Sequence, residues 1–177
     1  MMLYRVELRE AAARLLSDAT DAGPNVFSKR ALPLSQEALP AIYLSAPADT
    51  ARSTGRNAPD FVRVTQLNVD AMVSAGTPEA TQDALDDLTE QIELLIMQDV
   101  GFQALLSQVT DITTRQEVTS ENSAYIGKVR VAFSLEYFEE FSPGGTPVTG
   151  LDLRMQVPGN QNFAETLDTV FVQKSVQ

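Results

Sequence analysis

The sequence predicts an α+β fold: an antiparallel sheet with two helices packed on one face, plus an extended C-terminal arm. The first observation is residues 124 to 138, AYIGKVRVAFSLEYF. Tyr125, Gly127, Val129, Val131, Phe133, Leu135 and Tyr137 share one side of a strand, because successive side chains point to opposite faces. At ~3.3 Å per residue this strand would span roughly 45 Å, against a usual length of ~17 to 20 Å. The second observation is residues 77 to 101, where apolar positions recur at helical spacing behind a cap signal. The third is the order helix, strand, strand, helix, strand, strand, which suits a sheet covered by helices on one side.

In chain order, residues 3 to 19 read as a helix. Leu8, Ala11, Ala12, Leu15, Leu16 and Ala19 form its apolar stripe, while Arg5, Glu7, Arg9, Glu10 and Arg14 lie mostly off it. Asp21, Gly23 and Pro24 stop it. Val26 and Phe27 make a short extended piece, and Pro33 breaks any continuation. LPAIYLS supplies a compact strand from Leu39 to Leu44. Residues 45 to 60 are rich in Ala, Ser, Thr, Gly and Pro, which predicts a long exposed loop carrying Arg52 and Arg56. The strand FVRVTQLNVDAMV comes next, with Phe61, Leu67, Val69, Ala71 and Val73 on one face and Val62, Val64 and Met72 on the other.

Thr77 then fits an N-cap, Pro78 the first helical position and Glu79 the positive helix end. Ala80, Ala84, Leu85, Leu88, Ile92, Leu95 and Ile96 make the buried stripe of this second helix, and Gly101 fits its terminator. Residues 109 to 118 give a weaker strand, joined through a turn at Glu121, Asn122 and Ser123 to the long strand as a hairpin. After Phe141 the texture changes: SPGGTPVTG reads as a linker, Leu151, Leu153, Met155 and Val157 alternate, and LDTVFVQ suggests a final short strand. The chain thus divides into a core of residues 1–141 and a C-terminal extension of 142–177, an arm expected to lie on this core or on a neighbour.

Composition narrows the function. The 177 residues include no cysteine and no histidine, so disulfides, Cys-His proteases, Ser-His-Asp triads and ordinary zinc hydrolases are excluded. Thirteen Lys and Arg against 24 Asp and Glu give a formal charge of −11, which repels phosphate backbones and anionic lipid. Leu94 to Met97 is the longest aliphatic or Met run, far short of the ~20 residues that cross a bilayer. Charges at Arg5, Glu7, Arg9 and Glu10 interrupt any signal-peptide core. Neither export nor membrane insertion is expected.

Few residues suggest chemistry. Asp83, Asp86, Asp87, Glu90 and Glu93 put carboxylates on the polar side of the second helix, with Asp83, Asp87 and Glu90 within mutual reach. Oxygen ligands of this kind suit magnesium or calcium, but the same spacing arises on any acidic amphipathic helix. Gly127 and Lys128 lack the flanking residues of a phosphate loop, and Gly127 reads as a bulge or close-packing site. Lys128 and Arg130, with Arg115 across the hairpin, form either a basic strip that receives a neighbour's acidic helix or an exposed face balanced by Glu117 and Glu136. Arg52 and Arg56 are loop candidates for gripping a partner, and Leu151, Leu153, Met155 and Phe171 are candidates in the arm. No catalytic, cofactor or metal residues are assigned.

The phrases VFSKRALPL, LPAIYL, FVRVTQLNVDAMV, ALDDLTEQIELLIMQD and GKVRVAFSLEYF, in this order over residues 3 to 141, resemble the tail terminator (tail completion) proteins of long-tailed bacteriophages. The resemblance implies an α+β subunit that closes into a homohexameric ring on the tail tube, stops its polymerisation and offers a surface to the head-side connector. It implies no enzyme activity and no cofactor. The implied partners are further copies of the chain, the tail tube protein and head-tail connector proteins; DNA only passes through, and no membrane is involved. The implied location is the tail-head junction of the virion, after synthesis in the host cytoplasm. The alternatives are another tail-tube or head-completion subunit, and an acidic metal-binding enzyme or binding module.

Overall fold

The computed structural model describes residues 3–29, 38–56, 60–121 and 124–141. The expected arm, with Leu151, Leu153, Met155 and Phe171, lies outside the described residues, as does Pro33. The elements are α1 (Tyr4–Leu16), β1 (Val26–Phe27), β2 (Ala41–Ser53), β3 (Asp60–Ala75), α2 (Pro78–Gln98), α3 (Val100–Gln103), β4 (Gln108–Glu121) and β5 (Ala124–Glu140). The strands form one sheet in the order β1-β2-β3-β5-β4. Among the described residues only the two-residue β1 runs parallel to its neighbour, and the four long strands alternate in direction. The α+β class is as expected, with one parallel pair and a short third helix added.

The long strand extends slightly beyond its predicted bounds, and its alternation fixes the layers. Gly127, Val129, Val131, Phe133, Leu135 and Tyr137 are buried on the helix side. In register with them, Leu67, Val69, Ala71 and Val73 of β3 and Ile42 and Leu44 of β2 continue the same buried face. Leu8, Ala12 and Leu16 of α1 and Leu85, Leu88, Ile92 and Ile96 of α2 close over it. Both long helices therefore cover one face of the sheet.

α2 starts where its cap signal places it. Thr77 Oγ1 accepts from the Ala80 N–H at 3.2 Å, and Pro78 occupies the first turn. Its buried stripe uses Thr81 in place of the expected Ala80, which is exposed. Gly101 is no terminator: the helix ends at Asp99, whose carboxylate accepts from the Phe102 N–H at 2.6 Å and starts α3 through Gly101. That turn buries Phe102, a larger gain than a glycine stop would give. α1 also ends earlier than expected, at Leu16, because Asp18 adopts a left-handed φ of 58° and donates its N–H to Gly23 O; Ala19 is exposed.

The largest correction concerns residues 45 to 60. Most of this expected loop is strand: β2 runs to Ser53 and pairs antiparallel with β3 as far as Ser53 opposite Phe61. Small residues cannot build a core, but backbone pairing to an already seated β3 needs no core from them. A bulge between Ser45 and Ala48 takes up Pro47, which has no ladder donor. The extra residue reverses the facing of the strand beyond it, so Asp49 turns to the helix side together with Arg63 of β3.

Candidate functional site

Two sheet edges stand open among the described residues. β4 pairs with β5 along one side over 14 residues and has no neighbour on the other. β2 is covered by β1 only at Ile42 and Tyr43, which leaves the edge from Ser45 to Ser53 unpaired. Unpaired strand edges present rows of N–H and C=O groups ready for another chain. β4 is exposed along most of its length and contains neither proline nor lysine, the usual edge blockers.

The helix-free face carries the expected basic strip. Arg115 lies directly opposite Arg130, and Lys128 opposite Glu117. A shallow groove runs between them, lined by Asp70, Met72, Arg115, Glu117, Lys128 and Arg130. Arg130 is committed elsewhere: its Nε and Nη2 donate to Asp70 at 2.5 and 3.1 Å. This bond and the Asp70 charge hold the Arg130 pKa above its ordinary value. Asp70 sits one strand away, on β3, so hairpin reasoning alone did not reach it. Glu136 accepts from the Gln108 amide at 2.9 Å and does not balance these cations.

Arg52 is exposed on β2 opposite Val62, and Arg56 is exposed in the turn beyond it. Asp83, Asp86, Asp87 and Glu90 are exposed on α2, on the other side of the sheet from the basic strip. Among the described residues no group of three or more side chains is placed to hold a metal ion. Instead Asp86 Oδ1 accepts from Gln82 and Gln116, and Glu93 Oε1 accepts from Thr114, which ties this flank of α2 to β4. The same flank holds a groove formed by Asp86, Thr89, Glu90, Glu93, Leu94 and Met97. Leu94 is 45 % and Met97 38 % exposed. From Val64 to Thr114 the chain has nine Asp or Glu and no Lys or Arg. That bias and the two apolar residues outside the buried stripe were visible signals of this surface.

At the far end of the sheet, Arg63 is clamped between Asp49 of β2, at 2.5 Å, and Glu139 of β5, an ion pair without hydrogen-bond alignment. Burial works against the Arg63 charge, but Asp49 and Glu139 outweigh it and raise its pKa. Tyr137, opposite Arg63 in the ladder, stacks on Tyr4 with ring centroids 4.7 Å apart. Burial first, and then the Asp49 charge, push its phenol up to about 12. The cluster binds three strands together and disfavours phenolate, the form a reactive tyrosine would need.

No helix among the described residues is long and apolar enough to cross a membrane. Comparison with known protein families and with curated proteins finds no match for this chain.

Proposed function

We propose that the chain is a structural subunit that closes into a ring, a tail terminator that caps a tail tube, stops its growth and provides the head-side attachment surface at the tail-head junction of a virion. The observation that carries this reading is the pair of edges left open among the described residues, β4 and distal β2, at opposite sides of one sheet. Because β2, β3, β5 and β4 alternate in direction, β4 of one copy would meet β2 of the next antiparallel, the stronger pairing mode. Such a contact is head-to-tail, and it closes a ring when the rotation between copies divides a full turn.

The resemblance implies six copies. At ~4.8 Å between strands, six times four long strands would give a perimeter of roughly 115 Å and a backbone diameter of about 37 Å, more once the strands tilt. A DNA duplex can pass through such an opening, and a subunit of charge −11 would not hold it, since binding grows with each phosphate neutralised. The ring's partners would be the tube protein on one side and connector proteins on the other.

The test is mass photometry and negative-stain imaging of the purified protein, alone and with tail tubes. Closed rings and density confined to tube ends are expected. Filaments of stacked rings would make it a tube subunit instead. A monomer that neither self-associates at high concentration nor binds tube ends would overturn the reading.

A further inference from the structure

The groove on the β4 flank of α2 is an apolar surface set in uncompensated negative charge. Leu94 and Met97 project from a helix whose own packing stripe lies elsewhere, and Asp86, Glu90 and Glu93 border them. Among the described residues no carboxylate of α2 forms a salt bridge. Like charges repel at Asp83 and Asp87, Asp86 and Glu90, four apart, and at Glu90 and Glu93, three apart. Such a groove fits an extended segment with adjacent cations followed by an apolar side chain: the cations would meet the rim, and the apolar group would cover Leu94 and Met97.

The chain contains one stretch with that order of residue types. Lys29 and Arg30 are the only adjacent cations in the sequence, and Ala31, Leu32, Pro33 and Leu34 come directly after them. Its start is on the correct side of the sheet. Ser28 donates to Glu10 of α1 at 2.9 Å, and the Lys29 side chain, 75 % exposed, is 3.8 Å from the same carboxylate. α1 and α2 share the helix face. In the proposed ring, distal β2 of one copy lies beside β4 of the previous copy, which brings Ser28 and Lys29, beside β1 on the same edge, toward the groove that borders β4.

We infer that the α2 groove of each copy seats the Lys29–Leu34 segment of the next, so that this charged contact reinforces the edge pairing. The inference rests on the ring reading for its partner. It differs from that reading in the surface it names.

The chain has no cysteine, so single cysteines report cleanly. Copies carrying Met97→Cys are mixed with copies carrying Leu32→Cys and oxidised. A crosslinked pair that forms only in the mixture is expected. In parallel, a labelled peptide of residues 28–35 is titrated onto a Lys29→Glu, Arg30→Glu chain, whose own segment no longer competes. Binding should weaken about tenfold with Glu90→Lys or Leu94→Ser, both at exposed positions, and should fall with added salt. Rings that form without crosslink or peptide binding would overturn the groove assignment and leave the ring intact. Crosslinking and peptide binding without closed rings would uphold the groove and overturn the ring.

Discussion

Replacing Gly127 by alanine tests how α2 is seated on the sheet. A Cβ at this position would stand 2.7 Å from Leu85 Cδ1, 2.8 Å from Thr81 Cγ2 and 2.9 Å from Leu85 Cγ. Carbon atoms pack best at ~3.5 to 4.0 Å, so the helix must retreat by close to an ångström or the leucine must leave its rotamer. Leu85 and Thr81 are both 0 % exposed, which leaves neither side chain space to move into. Overpacking of this kind costs about 1–3 kcal/mol, and alanine in place of glycine within a strand returns about 0.5–1 kcal/mol. The net expectation is a loss of up to roughly 2.5 kcal/mol, centred near ~1 kcal/mol, read in urea denaturation as a lower midpoint with an unchanged slope. Leu85→Ala separates the causes. Alone it should cost ~2–5 kcal/mol, but beside Gly127→Ala distinctly less, because the new methyl fills part of the space it vacates. A stabilised Gly127→Ala protein, or additive single and double variants, would show that the close approach carries no energy.

Other consequences can be checked on the same preparation. Thr77→Ala removes the acceptor for the Ala80 N–H and should cost about 1 kcal/mol in chemical denaturation. Tyr137 keeps its proton to about 12 when folded against an ordinary 10, so between these values the unfolded chain holds fewer protons. Stability is therefore full below pH 10 and is lost as pH rises through the folded value, and Tyr137→Phe should flatten that loss in pH-dependent unfolding. Asp70→Asn should cost no more than about 1 kcal/mol at this partly exposed pair, with the difference shrinking in high salt. Of Thr113→Pro and Thr114→Pro, one removes an N–H directed at β5 and the other an N–H directed outward. The first should lower the urea midpoint, whereas the second should spare the fold and abolish rings in mass photometry.

Legibility tracked the physical signal at each element. The 17 residues of β5 were plain because one face must be buried along nearly the whole strand, and a period of two admits no other reading. α2 was plain because the Thr77 cap and the stripe through Leu85, Leu88, Ile92 and Ile96 agree. Distal β2 was hidden because Ala48, Thr50, Ala51 and Ser53 are exposed and hold their place by backbone pairing, which leaves no trace in hydrophobic pattern. Partners on non-adjacent strands were hidden for a related reason. Arg130 and Asp70 are 60 residues apart, and only the insertion of β5 between β3 and β4 brings them together. Of the assembly surface, the acidic flank of α2 could be read from residue types, but the open edges could not, since an edge is a property of strand order.

The Arg63 clamp connects these features. A long sheet with exposed ends tends to fray where its helices stop, and a frayed β2 could not offer a straight edge to a neighbour. Tyr4 of α1 packs on Tyr137 at this end and is hydrogen-bonded through its hydroxyl to Leu105 O at 2.7 Å. At that level the ladder changes from apolar rows to Asp49, Arg63 and Glu139, one charged side chain from each of three adjacent strands. Ion pairs of fixed geometry add little to stability but penalise slippage, because a one-residue shift would carry Arg63 to the opposite face, away from both carboxylates. The bulge at Pro47 is what sets Asp49 in this row. Bulge, clamp and open edge thus depend on one another: in an unbulged ladder of the same sequence Ala48 would stand opposite Thr65, and Asp49 would face away from Arg63.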